Sequence, residues 1–336
     1  MKIAVDENIM IKGEICAAGS KMLHNFKVPY TATVVEKITD AGMTITYSSK
    51  IGEFGAETNQ TNQKQTAAYL VGSGAVDAAL GIDVDGAAYR AAAQNDIAYI
   101  KPTYGTVSRF GLVANVTSVD QIGVYAKNLE DGFYVLSKIA GHDKNDGTSY
   151  PNEKYEYSDK EIDLLDLKVI NSPDFKLKEY LTSVYTIISA AEFSGNIARF
   201  DGLKFGYRTE NFRDLDALIT NSRSEGFSTE TKLKALMGTY VLSKEQFDKY
   251  YFKAMQIRRL IKQELGELFE SYDIVASPIS DESIALANLS GCPAVVLPGI
   301  IMIAKEFGEN KLFALGRSLE YAQREVALCK AKEAKL

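Results

Sequence analysis

Hydrophobic and polar positions follow two different periods along the chain, which predicts a protein of interleaved helices and strands. The stretch 33–47 contains both periods. Val34, Val35 and Ile38 recur at helical spacing, and Gly42 then separates this helix from a predicted strand. A helix followed by a strand over so short a stretch is typical of an α/β protein.

The same patterns recur as far as the last residues. Short apolar runs predict further strands at 1–5, 79–84, 166–171, 273–277 and 294–297. Apolar residues at helical spacing predict further helices at 67–79, 180–200 and 317–335, and helices capped by Asn128 and Ser243. This alternation predicts an α/β fold in which residues 1–336 form one domain around one mixed sheet.

The composition is ordinary for a soluble globular protein. Hydrophobic residues make up 46% and charged residues 24% of the 336 positions, enough to bury a sizeable core. The net charge of −6 argues against binding to phosphate backbones, so we expect no direct contact with nucleic acid. No apolar run approaches the roughly 18 residues of a membrane span, and residues 1–14 lack the apolar core of a signal peptide. We therefore expect a cytoplasmic protein that has no membrane partner.

The cysteines and histidines do not suggest a metal site or a cofactor. Cys16, Cys292 and Cys329 are far apart and have neither zinc-ligand nor redox spacing. The two histidines, His24 and His142, lie in no recognisable catalytic context. We expect no cofactor.

The stretch "GIDVDGAAYR", residues 81–90, has the form of an active-site turn but lacks a nucleophile. A glycine-containing turn that leads into small residues is where many enzymes hold an attacking side chain. No Ser, Thr or Cys occurs between Gly81 and Arg90.

An ordered set of motifs connects the chain to a known family. The motifs run from about Asn8 to about Pro298 and include "IKPTYGTVSRFGL", "AAEFSGNIARFDGLKFGYR", "SRSEGF" and "MGTYVLSKEQFDKYYFKAMQIRRLI". Together they resemble the amidase signature family, in its branch of glutamyl-tRNA(Gln) amidotransferase A subunits. The resemblance implies a large mixed β-sheet covered by helices on both faces. It also implies that this chain has a truncated N-terminus and an internal deletion near residues 280–287.

The resemblance places three catalytic positions on residues that cannot perform the family's chemistry. In this family a lysine is the base, one serine relays the proton and a second serine attacks the amide. Asp6, in "DENI", stands at the lysine position, and Gln63, in "NQKQTA", stands at the relay position. Ala87 stands at the attacking serine, and Asp85 replaces a glycine of the turn that stabilises the oxyanion. The resemblance therefore implies a pseudoamidase.

Three substrate-binding positions are implied in the same way. Tyr207 matches a tyrosine that lines the glutamine pocket of the family. Lys234 stands where the family has an arginine that binds the substrate carboxylate, and lysine keeps the charge but loses the bidentate fork. Asp281 matches an aspartate that holds the ammonium group of the substrate.

The acidic residues near the turn allow two interpretations. Asp83 and Asp85, with Asp6 and Glu7, form a candidate Mg²⁺ or Ca²⁺ site. The alternative is that Asp83 hydrogen-bonds the turn and the other three face water. Lys101 is a candidate replacement base, or a structural residue before Pro.

The function predicted from these residues is that of a binding, assembly or regulatory subunit that has lost catalysis. The resemblance implies a protein partner similar to the amidotransferase B or C subunit. The alternative is an enzyme of altered chemistry, a metal- or carboxylate-assisted amide hydrolase on the same scaffold.

Overall fold

The computed structural model describes residues 1–56, 63–151, 157 and 162–333. The strands in these ranges are β1 Lys2–Asp6, β2 Thr44–Ser49, β3 Ala78–Ile82, β4 Ala98–Lys101, β5 Ile122–Ala126, β6 Val169–Asn171, β7 Ile274–Pro278, β8 Ala294–Leu297 and β9 Ile300–Ala304. The α-helices are α1 Thr33–Asp40, α2 Ala67–Gly72, α3 Ala87–Gln94, α4 Leu129–Ile139, α5 Leu181–Ile197, α6 Leu215–Gly226, α7 Thr229–Leu242, α8 Lys253–Leu268, α9 Asp281–Ser290 and α10 Glu309–Glu333.

The strands form one mixed sheet in the order β2-β1-β3-β5-β4-β8-β9-β7-β6. β1 is parallel to both β2 and β3, and β6 is parallel to β7. The remaining neighbours are antiparallel. The large mixed sheet that the resemblance implies is therefore confirmed.

Side chains that alternate along each strand divide the core into two layers. On β5, for example, Ile122 and Val124 enter one layer while Tyr125 enters the other. Helices α1, α4 and α10 close the first layer, and α2, α3, α5, α8 and α9 close the second. Helices thus cover both faces of the sheet, as predicted. None of the helices in the described ranges has a segment apolar and long enough to cross a bilayer.

Several elements differ from those that the sequence pattern predicts. The residues that follow Gly86 form the helix α3, although the sequence analysis assigned them to the turn at 81–90 and predicted no helix there. Ser243 does not begin a helix but is the C-cap of α7, where its backbone N–H and its hydroxyl both donate to the carbonyl oxygen of Tyr240. A π-helical turn, Asp248–Phe252, leads instead into α8.

Helices α5 and α7 pack closely because one glycine lies between them. A methyl group at Gly238 would overlap the carbonyl oxygen of Ala190, which is backbone and cannot rotate away. This approach fixes α7, the helix that carries Lys234, against the second core layer.

We expect Gly238→Ala to destabilise the protein by roughly 1–3 kcal/mol, because α7 must move away from α5 to admit the methyl group. Gly266→Ala is the matched control. Gly266 lies on α8 with open space around its Cα, so the added methyl group stabilises the helix by about 0.5–1 kcal/mol. Urea unfolding of both variants measures the difference, and equal effects would contradict the close-packing argument.

Candidate functional site

The turn between β3 and α3 is held by the carboxylate of Asp83. Its Oδ2 accepts hydrogen bonds from the Gly86 N–H at 3.2 Å and from Asn288 Nδ2 at 2.6 Å, and its Oδ1 accepts from the Ala88 N–H at 2.9 Å. Burial raises the pKa of Asp83 to about 6, although these hydrogen bonds favour the charged form. Asp83 thus joins the end of β3 to the starts of α3 and, through Asn288, to α9.

Asp85 occupies the same turn in a conformation that suits glycine. Its φ of +53° lies in the left-handed region. Its backbone N–H donates to the Tyr185 hydroxyl at 3.1 Å, and its carboxylate accepts from Lys234 Nζ at 2.9 Å and from the Ser189 hydroxyl at 3.2 Å. The side chain assigned by resemblance to a glycine position is therefore bound to the lysine assigned by resemblance to an arginine position.

A cavity of about 440 Å³ opens beside this pair, and we name it the Lys234 cavity. Asp85, Lys234 and Asp281 all line it. Arg90 Nη2 forms an ion pair with Asp281 Oδ1 at 2.6 Å, while Arg90 Nη1 donates to the backbone oxygen of Asp85 at 2.8 Å. Two of the predicted substrate-binding residues and one predicted metal ligand are thus brought together, each in an ion pair.

Tyr207, the third predicted substrate-binding residue, is not among the residues that line this cavity. Its hydroxyl donates to Glu225 Oε2, and the ammonium of Lys21 lies 4.1 Å from the centre of its ring. The carboxylate of Glu225 therefore raises the pKa of Tyr207.

A second cavity, of about 230 Å³, contains two of the predicted catalytic positions, and we name it the Asp6 cavity. Asp6 and Ala87 both line it. The carboxylate of Asp6 accepts from the Ser49 hydroxyl at 2.7 Å and lies against Gly81, where a Cβ would overlap its Oδ2. Burial, and secondarily the charge of Glu7, raise the pKa of Asp6 to about 7.

The third predicted catalytic position is Gln63, near the Asp6 cavity in the chain. Gln63 begins the short 3₁₀ turn Gln63–Gln65, and its side chain lies outside the described part of the chain. Lys50 lines the Asp6 cavity, and its ammonium lies 2.6 Å from Glu7 Oε2.

The predicted metal site has no supporting geometry. Within the described ranges, no group of three or more His, Cys, Asp or Glu side chains is arranged to hold a metal ion. Asp83 and Asp85 accept from different protein donors, so a site on them stays a prediction. The alternative interpretation is right about Asp83 but wrong that Asp6 and Glu7 face water, because only 4% and 6% of their surfaces are exposed.

Lys101, the candidate replacement base, is buried at the end of β4. Its ammonium donates to Gln121 Oε1 and to the carbonyl oxygen of Cys292. Burial lowers its pKa to about 8, against the effect of Cys292 and Asp83. Both hydrogen bonds fix the ammonium within the protein, which agrees with the structural interpretation.

Sequence reasoning did not identify several residues that complete the two cavities, namely Lys50, Arg90, Tyr125, Tyr185 and Ser189. Arg90 lies beside the turn because α3 begins at Ala87 and brings residue 90 back after about one turn of 3.6 residues, and the sequence analysis predicted no helix there.

Curated relatives named as A subunits of glutamyl-tRNA(Gln) amidotransferase match almost the whole chain. The relative from Halothermothrix orenii is 32% identical over 400 positions, covering 95% of this chain and 84% of the relative. The relative from Wolinella succinogenes is 34% identical over 398 positions, covering 95% and 88%. Both spans exceed the 336 residues of this chain, which therefore lacks residues that these relatives have. A deletion placed near 280–287 stays a prediction.

Solved structures share the fold. The crystal structure of the glutamyl-tRNA(Gln) amidotransferase A subunit from Thermotoga maritima superposes with a TM-score of 0.75 at 26% identity, covering 95% of this chain and 82% of that one. Native peptide amidase from Stenotrophomonas maltophilia superposes with a TM-score of 0.73 at 19% identity, covering 96% and 82%. The second likeness concerns the fold alone.

The raised pKa of Asp6 predicts a pH-dependent loss of stability. The ordinary pKa is 3.8, so as pH rises from about 4 the unfolded chain releases this proton before the folded protein does. Folding therefore weakens until the pH passes about 7. Asp6→Asn cannot ionise, so relative to wild type it gains at least about 1.4 kcal/mol, the equivalent of one pKa unit, between about pH 4 and pH 8.

Urea unfolding at both pH values measures this gain. Asp40→Asn is the control, because Asp40 is exposed at the end of α1. A gain that is equal in the two variants would show that Asp6 is not responsible.

The family model described as Amidase matches residues 67–169 and 165–290, which contain the turn at 81–90 and both ion pairs of the Lys234 cavity. These matches cover well over half of the chain, and the curated relatives extend the similarity to nearly all of it. The chain belongs to the amidase family.

Proposed function

We propose that this chain is a catalytically inactive member of the amidase family that acts as a binding, assembly or regulatory subunit. The observation that carries the proposal is the content of the Asp6 cavity. The positions assigned by resemblance to the base and the nucleophile hold a carboxylic acid, Asp6, and a methyl group, Ala87. A serine nucleophile requires a base within hydrogen-bond reach, and Ala87 supplies no oxygen to activate.

The Lys234 cavity supports the same proposal from the substrate side. The carboxylate of Asp85 forms an ion pair with the ammonium of Lys234. By resemblance, this ammonium is the group that would bind the substrate carboxylate. Asp281, assigned to the substrate ammonium, pairs with Arg90. An amino acid would have to displace the ion pairs Lys234–Asp85 and Arg90–Asp281. Both pairs therefore disfavour binding of the substrate that the family resemblance implies.

A carboxylate-assisted amide hydrolase is the second candidate, and one observation favours it. Burial holds the pKa of Asp6 at about 7, where a carboxyl group can both accept and release a proton at neutral pH. The same observation does not supply a nucleophile, so water would have to attack the amide.

The proposed partner is a protein similar to the amidotransferase B or C subunit, encountered in the cytoplasm. The curated relatives carry the name of a subunit. One face of α7 supports such a contact, because it exposes apolar side chains at helical spacing. These side chains are Leu233, Leu236, Met237 and Tyr240.

We expect wild-type protein to show no saturable binding of glutamine in calorimetry and Asp85→Gly to bind it. Glycine suits the left-handed backbone at this position and frees the ammonium of Lys234. Adding Lys234→Ala to Asp85→Gly removes the binding again, which assigns it to that ammonium. If wild type binds glutamine as tightly as Asp85→Gly does, the ion pair between Asp85 and Lys234 does not block the site.

Ammonia release from glutamine and simple amides, with and without Mg²⁺, tests the loss of catalysis. We expect wild type, Asp85→Gly and Asp85→Gly/Ala87→Ser all to remain at the blank, because a restored serine still lacks its base. Release by wild type that disappears in Asp6→Asn would overturn the proposal and favour the carboxylate-assisted hydrolase.

We expect purified chain to form a complex with the amidotransferase B or C subunit of its own organism, measured by sedimentation. Leu236→Asp, which places a charge on the apolar face of α7, weakens the complex by roughly tenfold or more. Leu260→Asp on α8 is the matched control, with a leucine that is also half exposed. Equal effects of the two variants would exclude α7 as the contact, and no complex with either subunit would exclude this partner.

A further inference from the structure

One carboxylate oxygen of Asp6 accepts no hydrogen bond from the described residues, which suggests that a ligand can bind there. Only 4% of the residue is exposed. One oxygen, Oδ1, accepts from Ser49, and the described residues provide no hydrogen bond or ion pair to Oδ2. A buried carboxylate without a cation is costly, because desolvation is not offset by a charged donor.

The nearest lysine does not fill this role. Lys50 lines the same cavity, yet its ammonium lies on Glu7 Oε2 at 2.6 Å. The ammonium of Lys50 is therefore neutralised by the buried Glu7, which leaves the negative charge of Asp6 without a cationic partner among the described residues.

Packing holds the Asp6 carboxylate in place. Val5 pairs with Leu80 between the parallel strands β1 and β3, so the next residues, Asp6 and Gly81, are neighbours. The absence of a side chain on Gly81 leaves the space that Oδ2 occupies. The ring of Tyr125 lines the same buried end of the cavity.

The cavity is shaped for a compact organic molecule. About half of its wall is apolar, and small residues there include Gly52, Gly55, Ala67, Ala68, Ala88 and Ala91. Its volume of about 230 Å³ exceeds the roughly 150 Å³ of a protein cavity that binds benzene. Exposed Lys50 and Gln94 lie at the rim, while Asp6 and Tyr125 are buried.

We propose that the Asp6 cavity binds a small organic primary ammonium compound, with the ammonium group donating to Asp6 and the apolar body against the wall of glycines and alanines. This ligand site goes beyond the proposed subunit role and does not depend on it. The ammonium supplies the missing charged donor, and the aromatic ring of Tyr125 adds an attractive surface for a cation.

Benzylammonium is the probe, and benzyl alcohol, of the same size but uncharged, is its control. Calorimetry is done at about pH 8, where Asp6 is ionised because burial and Glu7 hold its pKa near 7. We expect wild type to bind benzylammonium at least about tenfold more tightly than benzyl alcohol, the ratio expected of one charge-assisted hydrogen bond.

Two variants locate the site. Asp6→Asn abolishes the preference for the cation, and Ala87→Leu, which leaves Asp6 in place and fills the cavity, abolishes binding of both compounds. Asp281→Asn removes an acid of the Lys234 cavity and is expected to leave the preference unchanged. Cooperative thermal unfolding of each variant establishes that it is folded.

Three results would overturn the site: equal affinity for the amine and the alcohol, a preference that survives Asp6→Asn, or a preference lost in Asp281→Asn. Absence of saturable binding to folded wild type overturns it as well. None of these results bears on ammonia release, so failure of the ligand site and failure of the proposed inactivity are distinguishable.

Discussion

The buried carboxylate of Asp83 is the point on which both cavities depend. Its three accepted hydrogen bonds fix where β3 ends, where α3 begins and how α9 lies against them. The turn that follows places Ala87 on the Asp6 cavity and Asp85 on the Lys234 cavity. These donors come from the turn itself, from α3 and from α9, so one buried carboxylate joins the turn to both helices.

Electrostatics then separates the two cavities. In the Lys234 cavity every charge that lines the wall has an opposite charge within the chain, through the pairs Lys234–Asp85 and Arg90–Asp281. In the Asp6 cavity, the exposed Lys50 pairs with the buried Glu7, while one oxygen of Asp6 accepts no hydrogen bond from the described residues. The charges of the first cavity are therefore paired within the chain, whereas the second keeps one carboxylate oxygen without a donor among the described residues.

Local elements could be predicted wherever a short segment carries its own signal. Asn128 caps α4 as its sequence indicates, and the strand at 294–297 lies where its apolar run predicts. The helix α3 was not predicted, although Ala88, Tyr89 and Ala92 form its buried face, because its first residues were assigned to the turn at 81–90. The ordered motifs also allowed Asp6, Gln63 and Ala87 to be assigned, by resemblance, to the catalytic positions of the family, and this assignment stays a prediction.

The order of residues was enough to predict the family and the α/β class, both of which are confirmed, and to assign Asp6 and Ala87 by resemblance to the positions of a base and a nucleophile. Only the tertiary structure shows which charged side chains form ion pairs. Asp85 and Lys234 are 149 residues apart, and Arg90 and Asp281 are 191 apart. Such contacts depend on how the turn after β3 and the helices α3, α7 and α9 pack together. Burial and hydrogen-bond partners then set the pKa of a carboxylate, and no local stretch of sequence specifies either.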